Sequence, residues 1–371
     1  MAEEISKIVN LLDFVNEHQD WKDILKTAPF HISIREDGEY VLLKYSQYDT
    51  DMSYLISQQC RGCILRQNGN GQYIYVCRPF DKFFNYGEEY AANIDWQTAR
   101  VTEKVDGSII KCWYDNGDWH LSTNGIINAF EAPAGEKEIT FGDIFERALG
   151  ANIETFGCAL DKSRTYMFEL TSPETQVVIP YSDGVYYLAS RVTETGEELF
   201  DTPLFIARAK IKYPKRYYIS NLDDVIAAAA LMSKDEEGFV VNDAAGRRIK
   251  VKSPEYLIAA HMQNNGAVTN KRIFKMIKND LLDDFLAYAP DKKDKADEVL
   301  KAIDDFCCAA DAEWEEVNRK NITDQKEFAK EVKGSKIRSY LFSKRKNPEL
   351  TAREWLLKIA IKSAMELAGL Q

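Results

Sequence analysis

Glu103-Lys104-Val105-Asp106-Gly107-Ser108 is the stretch around which this chain is organised. Apolar residues typical of strands flank Lys104, so we expect its amine to be poorly solvated and available for nucleophilic attack. Gly107 allows the backbone to approach a bound group closely, and the alternating run at 109–114 predicts a β-hairpin. An ordinary lysine at a strand end before an Asp-Gly turn gives the same pattern. The interpretation therefore depends on what the rest of the chain supplies.

Length and composition are those of a soluble globular protein with two or three domains. The chain has 371 residues, of which 45% are hydrophobic and 29% are charged. It has no run of 18 apolar residues and begins with acidic sequence. We therefore expect neither a membrane span nor a secretory signal, and a cytoplasmic location. The net charge of −11 argues against indiscriminate coating of nucleic acid but leaves room for a local basic groove.

The seven cysteines are odd in number and scattered along the chain, which favours reduced thiols. Cys60 and Cys63 have the spacing of a redox pair or of half a zinc site. No second pair with that spacing completes a zinc set, and the first pair falls in strand-like sequence. We therefore favour thiols that are packed in a sheet.

Hydrophobic periodicity divides the chain into a mixed region and a helical region. Helical spacing covers residues 5–28, and strand-like alternation with helical interruptions continues to about residue 256. Beyond that point the spacing is helical throughout. We predict an α+β fold, with a domain of mostly antiparallel sheets and helices over 1–258 and an all-α domain over 259–371.

A glutamate lies within a predicted buried strand pair. Residues 166–170 read as a strand, followed by strands at 176–179 and 185–188. Glu169 is surrounded there by apolar residues. Because an isolated buried carboxylate is costly, Glu169 must be paired, bound to a metal or in contact with a ligand.

Strict alternation over residues 248–253 predicts a strand with Lys250 and Lys252 on the same face. Two ammonium groups on one face repel each other unless an anion lies between them, which indicates a phosphate. Together with Lys104 and the carboxylates, this pair suits attack of an amine on the α-phosphorus of a nucleoside triphosphate.

Two further stretches mix cations with aromatic residues. Residues 78–88 place Lys82 among several rings, either as a packed loop with solvated charges or as part of a nucleotide site. Residues 208–216 carry five cations and no acid. They form either a solvated face or part of a groove for a polyanion.

In order and spacing, these residues resemble the covalent nucleotidyltransferases, and within them the phage-type RNA ligase 1 family that repairs broken tRNA. The nucleophile motif is residues 104–108, the strand glutamate is Glu169, the Glu-Gly-Phe-Val motif is residues 237–240, and the terminal Lys-x-Lys is residues 250–252. Cys60-Arg61-Gly62 and Arg78-Pro-x-x-Lys82 are typical of this branch, and the helical C-terminal domain supports it.

The resemblance implies ATP as the AMP donor and Lys104 as the nucleophile. Lys250 and Lys252 would neutralise the α-phosphate, and Arg61 and Lys82 would bind the outer phosphates or pyrophosphate. The remaining implied nucleotide and metal contacts are Glu169 and Glu237 for Mg²⁺, Mn²⁺ or the ribose, and Tyr45 for the nucleotide. Asp283 and Asp284 lie where related helical domains hold a cation, although a solvated helix face has the same sequence.

Residues 333–346 are the strongest candidate for an RNA-contacting surface in the helical domain. They interleave aromatic residues with six cations and contain no acid. An exposed helix end fits the same pattern. The six candidate residues are Lys333, Lys336, Arg338, Lys344, Arg345 and Lys346.

One position departs from the family pattern. The family usually carries a lysine or arginine before the glycine of the short strand after the nucleophile, whereas this chain has Asn124 before Gly125. This departure concerns a ribose or phosphate contact and, with it, substrate preference.

The expected function is therefore that of an ATP-dependent RNA ligase joining RNA 5'-phosphate and 3'-hydroxyl ends. A nicked tRNA anticodon loop is the candidate substrate, and a monomer in the cytoplasm, or in a phage's bacterial host, is the expected state. The alternatives are a DNA ligase or capping guanylyltransferase, a catalytically silent RNA-binding protein, and an enzyme that transfers AMP to a protein.

Overall fold

The computed structural model describes residues 10–47, 49–134, 138–199, 210–257, 269–278, 282–288 and 292–370. The chain divides into two compact units, Met1–Ala260 and His261–Gln371. The first unit combines three β-sheets, mostly antiparallel, with helices, and the described part of the second unit is helical. The predicted α+β class is confirmed. In the described part of the chain, no helix has the length and apolarity needed to span a membrane.

The first sheet is antiparallel, with its strands in chain order. Apolar side chains of the preceding helices, among them Phe14 and Trp21, pack with Leu43 and Leu65 of the sheet. This packing fixes β3, the strand that begins at Arg61. The elements are α1 (Leu11–Glu17), α2 (Trp21–Lys26), β1 (Ile32–Asp37), β2 (Tyr40–Tyr45), α3 (Leu55–Gln59), β3 (Arg61–Gln67) and β4 (Tyr73–Cys77).

The second sheet has the order β11-β10-β9-β7-β8, and β12 pairs with β10. Helices α4 and α5 cover one face, where Phe145 and Phe156 pack against Phe168. Because side chains alternate along a strand, the neighbouring Glu169 lies on the other face. The elements are β7 (Ser108–Asp115), β8 (Asp118–Ser122), α4 (Phe141–Leu149), α5 (Ile153–Gly157), β9 (Arg164–Thr171), β10 (Gly184–Val192), β11 (Glu198–Leu199) and β12 (Ile211–Lys212).

The third sheet has the order β13-β6-β14-β15-β5 and leads directly to Lys104. One face is apolar and packs with helix α6 through Val101, Phe239, Val241 and Val225. Polar side chains are therefore left to the opposite face. The elements are β5 (Phe84–Asn85), β6 (Arg100–Glu103), β13 (Arg216–Tyr217), α6 (Leu222–Ala230), β14 (Gly238–Asn242) and β15 (Arg248–Lys252).

Two local expectations of the sequence analysis need correction. The predicted strand at 176–179 is wrong, because this segment is irregular and its Val178 and Ile179 amides donate to a side chain instead of to a neighbouring strand. Lys104 immediately follows β6 of the third sheet, whereas the predicted hairpin, β7 and β8, belongs to the second sheet. The chain thus passes between two sheets at residues 104–107.

The second unit is built around the long helix α9. Phe306 of α9 stacks on Trp355 of α12, and Tyr340 of α11 donates a hydrogen bond to Asp311 at 2.7 Å. These contacts join three helices in one core. The helices are α7 (Asn270–Lys278), α8 (Leu282–Tyr288), α9 (Lys293–Arg319), α10 (Gln325–Glu331), α11 (Arg338–Lys346), α12 (Ala352–Lys358) and α13 (Ile361–Leu367).

Each unit contains a helix with a complete capping box, which permits a test of whether the two units unfold independently. Thr140 caps α4 in the first unit and Thr351 caps α12 in the second. We expect Thr140→Ala or Thr351→Ala to cost about 1 kcal/mol of stability. Hydrogen exchange read by mass spectrometry should show faster opening only in the unit that carries the substitution. Equal acceleration in both units would contradict independent unfolding.

Candidate functional site

Glu237 holds two lysines from neighbouring segments. Its Oε2 lies 2.6 Å from the Nζ of Lys104, and its Oε1 lies 3.1 Å from the Nζ of Lys252. Glu237 is 3% exposed and the Lys104 side chain is 21% exposed. A carboxylate buried to this degree requires such partners. The apolar neighbours of Lys104 in the sequence suggested an amine enclosed by apolar side chains. In the structure Lys104 instead forms an ion pair, just after the end of β6.

Strand pairing explains why these groups meet. Gly238 pairs with Lys252 and Val240 pairs with Lys250 across β14 and β15, while the amide of Lys104 donates to the Gly238 carbonyl at 2.8 Å. Cross-strand partners lie on the same face of a sheet. The predicted strand with Lys250 and Lys252 on one face is therefore present, and that face adjoins Lys104.

Aromatic rings bring together the cations predicted from the upstream motifs. The guanidinium of Arg61 lies 5.0 Å and the Nζ of Lys250 lies 5.8 Å from the centre of the Phe83 ring. The Nζ of Lys82 lies 5.3 Å from the centre of the Tyr45 ring. Cations at these distances are attracted to the ring faces. The Phe83 ring thus brings Arg61 and Lys250 together from distant parts of the sequence, while Lys82 lies over a separate ring.

Glu169 lies beside the same lysine from the second sheet. Burial raises its pKa to about 8; Lys104 and Arg61 act in the opposite direction, and the Glu237 carboxylate adds to the increase. A Cβ atom at Gly107 would lie 3.0 Å from the Glu169 Cγ, so the segment after Lys104 runs directly over this side chain. A cationic or hydrogen-bond-donating ligand would stabilise the ionised carboxylate here.

Asp106 is a site residue that the sequence analysis did not single out. Its carboxylate accepts hydrogen bonds from the amides of Val178 and Ile179 at 2.9 and 2.8 Å, and from the Tyr256 hydroxyl at 3.1 Å. Burial, followed by the nearby Glu237, raises its pKa. Asp106 therefore fixes the segment that carries Lys104. The available signal was an acid two residues from the nucleophile, which was interpreted only as part of a turn.

Lys111 is a second buried group that the sequence analysis did not consider. Its side chain is inaccessible to solvent, and its Nζ donates a hydrogen bond to the Gly62 carbonyl. Burial lowers its pKa to about 8; the Cys77 and Cys63 thiols oppose this effect, and Arg61 and Lys44 add to it. Lys111 thus supports the residue that follows Arg61.

Asn124 and Lys111 converge behind Gly62. A Cβ atom at Gly62 would lie 2.8 Å from both the Asn124 Cα and the Lys111 Nζ. The Oδ1 of Asn124 is buried and accepts no hydrogen bond from any residue that the structure describes. The position that departs from the family pattern therefore has a buried ammonium group close to its backbone.

The carboxylates do not form a metal site made of protein alone. Within the described ranges, no three His, Cys, Asp or Glu side chains are grouped so that they could hold a metal ion. Asp283 is half-buried on α8, and the side chain of Asp284 lies outside the described residues. A role for this pair in metal binding stays a prediction. The Cys60 and Cys63 thiols are buried and form no disulfide, as the sequence favoured.

The six cations predicted to contact RNA differ in their surroundings. Arg345 lies 4.3 Å from the centre of the Phe328 ring and donates to the Thr323 carbonyl at 2.6 Å, so it also stabilises the helical unit. Lys344 is half-buried. The others, Lys333, Lys336, Arg338 and Lys346, are exposed.

A family model described as RNA ligase matches residues 59–256, more than half of the chain. A protein of Autographa californica nuclear polyhedrosis virus named as a bifunctional polynucleotide kinase/RNA ligase is 33% identical over 286 residues, which cover 71% of this chain and 40% of that protein. An RNA ligase of Rhodothermus phage RM378 is 28% identical over 184 residues, 41% of each chain. The chain thus spans less than half the length of these two curated relatives.

Among solved structures, an archaeal ATP-dependent RNA ligase matches with a TM-score of 0.46 at 13% identity. The match covers 78% of this chain and 77% of the archaeal chain.

The buried Lys111 makes a measurable contribution to the pH dependence of stability. Its pKa is about 8 in the folded protein against an ordinary 10.5. Between these values the unfolded chain binds a proton that the folded chain lacks, so stability rises with pH. The unfolding free energy of the wild type minus that of Lys111→Met should therefore increase across this range, by at most about 1.4 kcal/mol per pH unit.

Urea unfolding at several pH values measures this difference. Lys22→Met is the matched control, because Lys22 is partly exposed, 2.7 Å from the exposed Glu36 carboxylate and 5.6 Å from the centre of the Trp21 ring. The change with pH should be larger for Lys111→Met than for this surface variant. If the difference in unfolding free energy between the wild type and Lys111→Met does not change with pH, the lowered pKa of Lys111 is contradicted.

Proposed function

The chain belongs to the RNA ligase family, and we propose that it joins RNA ends with ATP through an AMP group carried on Lys104. The observation that carries this proposal is the contact of Lys104 with Glu237, which in turn contacts Lys252. A nucleophilic amine, a carboxylate that can take its proton and cations for a phosphate are thereby placed together.

In the first step, the Nζ of Lys104 attacks the α-phosphorus of ATP. A nitrogen–phosphorus bond forms, the bond from the α-phosphorus to the bridging oxygen breaks, and pyrophosphate leaves with the bonding electrons. Glu237, 2.6 Å from the Nζ, accepts the first proton and leaves a neutral amine that can attack. The second proton, lost as the nitrogen–phosphorus bond forms, passes to the departing pyrophosphate or to solvent. Lys250 and Lys252 stabilise the charge on the α-phosphate, and Arg61 and Lys82 hold the outer phosphates.

In the second step, an oxygen of the RNA 5'-phosphate attacks the phosphorus of the lysyl-AMP. The nitrogen–phosphorus bond breaks, and Lys104 recovers a proton. In the third step, the RNA 3'-hydroxyl loses its proton and attacks the activated 5'-phosphorus. AMP leaves, and a phosphodiester bond remains. Lys104, Lys250 and Lys252, here called the lysine cluster, lie beside the reacting phosphate in the first two steps.

The carboxylates of Glu169 and Glu237 fit a divalent cation, since Mg²⁺ and Mn²⁺ prefer oxygen ligands. Such an ion would neutralise phosphate charge. Glu169 and Glu237 are the residues of the first unit that would hold it. Within the helical unit, Asp283 and Asp284 are proposed separately as a pair that would hold a cation of its own.

The finer assignments follow from the family resemblance and the charge pattern. We propose that residues 1–258 form the adenylation domain and that residues 259–371 contact RNA through the exposed cations of segment 333–346. The proposed substrate is a nicked tRNA anticodon loop, and the proposed state is a cytoplasmic monomer.

Adenylation of Lys104 can be measured directly. Incubation with divalent cation and ATP labelled at the α-phosphate should leave label on the wild-type protein in a denaturing gel, and 5'-phosphorylated RNA should remove it. Lys104→Ala should show no label, whereas the control Lys22→Ala, which changes a partly exposed lysine, should be labelled normally. Label on Lys104→Ala would refute the assignment, and stronger labelling by GTP that carries the label at its α-phosphate, in a parallel incubation, would favour a capping-type enzyme.

Glu237→Gln tests the proton transfer, with thermal unfolding of the variant measured in parallel because the carboxylate also pairs with Lys104 and Lys252. The amide keeps the shape of the side chain but cannot accept the proton from Lys104, so adenylation should slow by about 100-fold or more. The rate of label uptake measures this effect. Glu36→Gln, which changes the exposed partner of Lys22, should match the wild type. An unchanged rate for Glu237→Gln would exclude Glu237 as the base.

A further inference from the structure

Residues 210–218 form a basic and aromatic segment, part of which pairs with β6, the strand that ends just before Lys104. The segment contains four cations and no acid. Its strand β13 is an edge of the third sheet and pairs with β6, with Arg216 opposite Thr102 and Tyr217 opposite Val101. Thr102 precedes Lys104 by two residues, so the segment borders the candidate site directly.

The strand register determines which side chains of this segment face the site. Arg216 pairs with Thr102, Thr102 pairs with Val240, and Val240 pairs with Lys250. Because directly paired residues lie on the same face, Arg216 shares the face of Lys250. The adjacent Tyr217 lies on the opposite face, where it packs edge-on against Phe239 with 4.9 Å between ring centres.

An exposed aromatic ring lies beside Arg216. The guanidinium of Arg216 lies 5.6 Å from the centre of the Tyr218 ring, and Tyr218 is 93% exposed. An exposed ring held beside a cation offers a stacking surface for a base next to a phosphate-binding group. Lys215, by contrast, has its Nζ 4.7 Å from the centre of the Tyr217 ring, and Tyr217 packs with the apolar cluster of the third sheet.

We propose that Arg216 and Tyr218 bind the single-stranded RNA next to the end that is joined. Arg216 contacts the phosphate backbone, and a base stacks on Tyr218. The proposal extends the RNA site from the lysine cluster across β6 to the edge of the sheet. That this RNA is the substrate of the enzyme rests on the proposed function. The binding of RNA by Arg216 and Tyr218 does not depend on it.

RNA affinity tests this proposal without requiring catalysis. Fluorescence anisotropy would compare the full-length wild type with Arg216→Ala and Tyr218→Ala, using a short single-stranded RNA with a 5'-phosphate and a blocked 3' end, and a second RNA with a 5'-hydroxyl and a free 3'-hydroxyl. Each variant should bind at least one RNA about tenfold more weakly. The RNA that loses affinity identifies the bound strand as the 5'-phosphate or the 3'-hydroxyl partner.

Salt dependence separates the two contributions. Arg216→Ala should reduce the slope of log affinity against log salt by about 0.7, because one phosphate contact is lost, whereas Tyr218→Ala should leave the slope unchanged. Tyr218→Phe should restore the affinity, since the ring is kept.

Lys215→Ala is the matched control, because it removes a neighbouring cation from the opposite face of the same segment. It should bind RNA within about twofold of the wild type. Wild-type affinity in Arg216→Ala and Tyr218→Ala, or an equal loss in Lys215→Ala, would overturn the proposal.

Labelling with ATP alone distinguishes this inference from the proposed function. Arg216→Ala, Tyr218→Ala and Lys215→Ala should each form the Lys104 adduct at the wild-type rate, and loss of the adduct in Arg216→Ala or Tyr218→Ala would contradict a role confined to RNA. If the wild type itself takes up no label, the proposed function fails, and the RNA affinities still decide the role of this surface.

Discussion

The candidate site depends on one buried carboxylate that must be neutralised. Glu237 lies at the start of a central strand and has almost no contact with solvent. Its two oxygens are satisfied by ammonium groups from separate segments, Lys104 and Lys252. Because leaving such a charge unpaired is strongly unfavourable, the carboxylate fixes both lysines with respect to each other. An incoming phosphate therefore meets cations whose positions are already set.

Patterns within single strands were predictable from the sequence, and so was the α+β class. Alternation alone places Lys250 and Lys252 on one face, and the structure contains that strand with the expected pairing. Such predictions succeed because side-chain direction along a strand depends only on local geometry. The cluster around Phe83 could be anticipated only by resemblance to a family, since its cations come from segments far apart in the chain.

The features that were missed arise from contacts between distant segments. The amides of residues 178 and 179 donate hydrogen bonds to the Asp106 carboxylate. These amides are therefore not available for pairing with a strand, although the apolar sequence favours one. A lysine within a strand is usually exposed to solvent, yet the ammonium group of Lys111 is buried and donates a hydrogen bond to the Gly62 carbonyl of the first sheet. Arg345 reads as a free surface cation but packs on a ring of its own unit. In each case tertiary partners override the local signal.

The passage of the chain from the third sheet to the second sets the width of the site. Gly107 lies where a Cβ atom would be 2.5 Å from the Leu170 carbonyl oxygen, and Leu170 is the neighbour of Glu169. Segment 104–107 can therefore approach β9, the strand that contains Glu169, only because residue 107 has no side-chain carbon. The distance between Lys104 and Glu169 is consequently encoded at a residue that itself has no functional group.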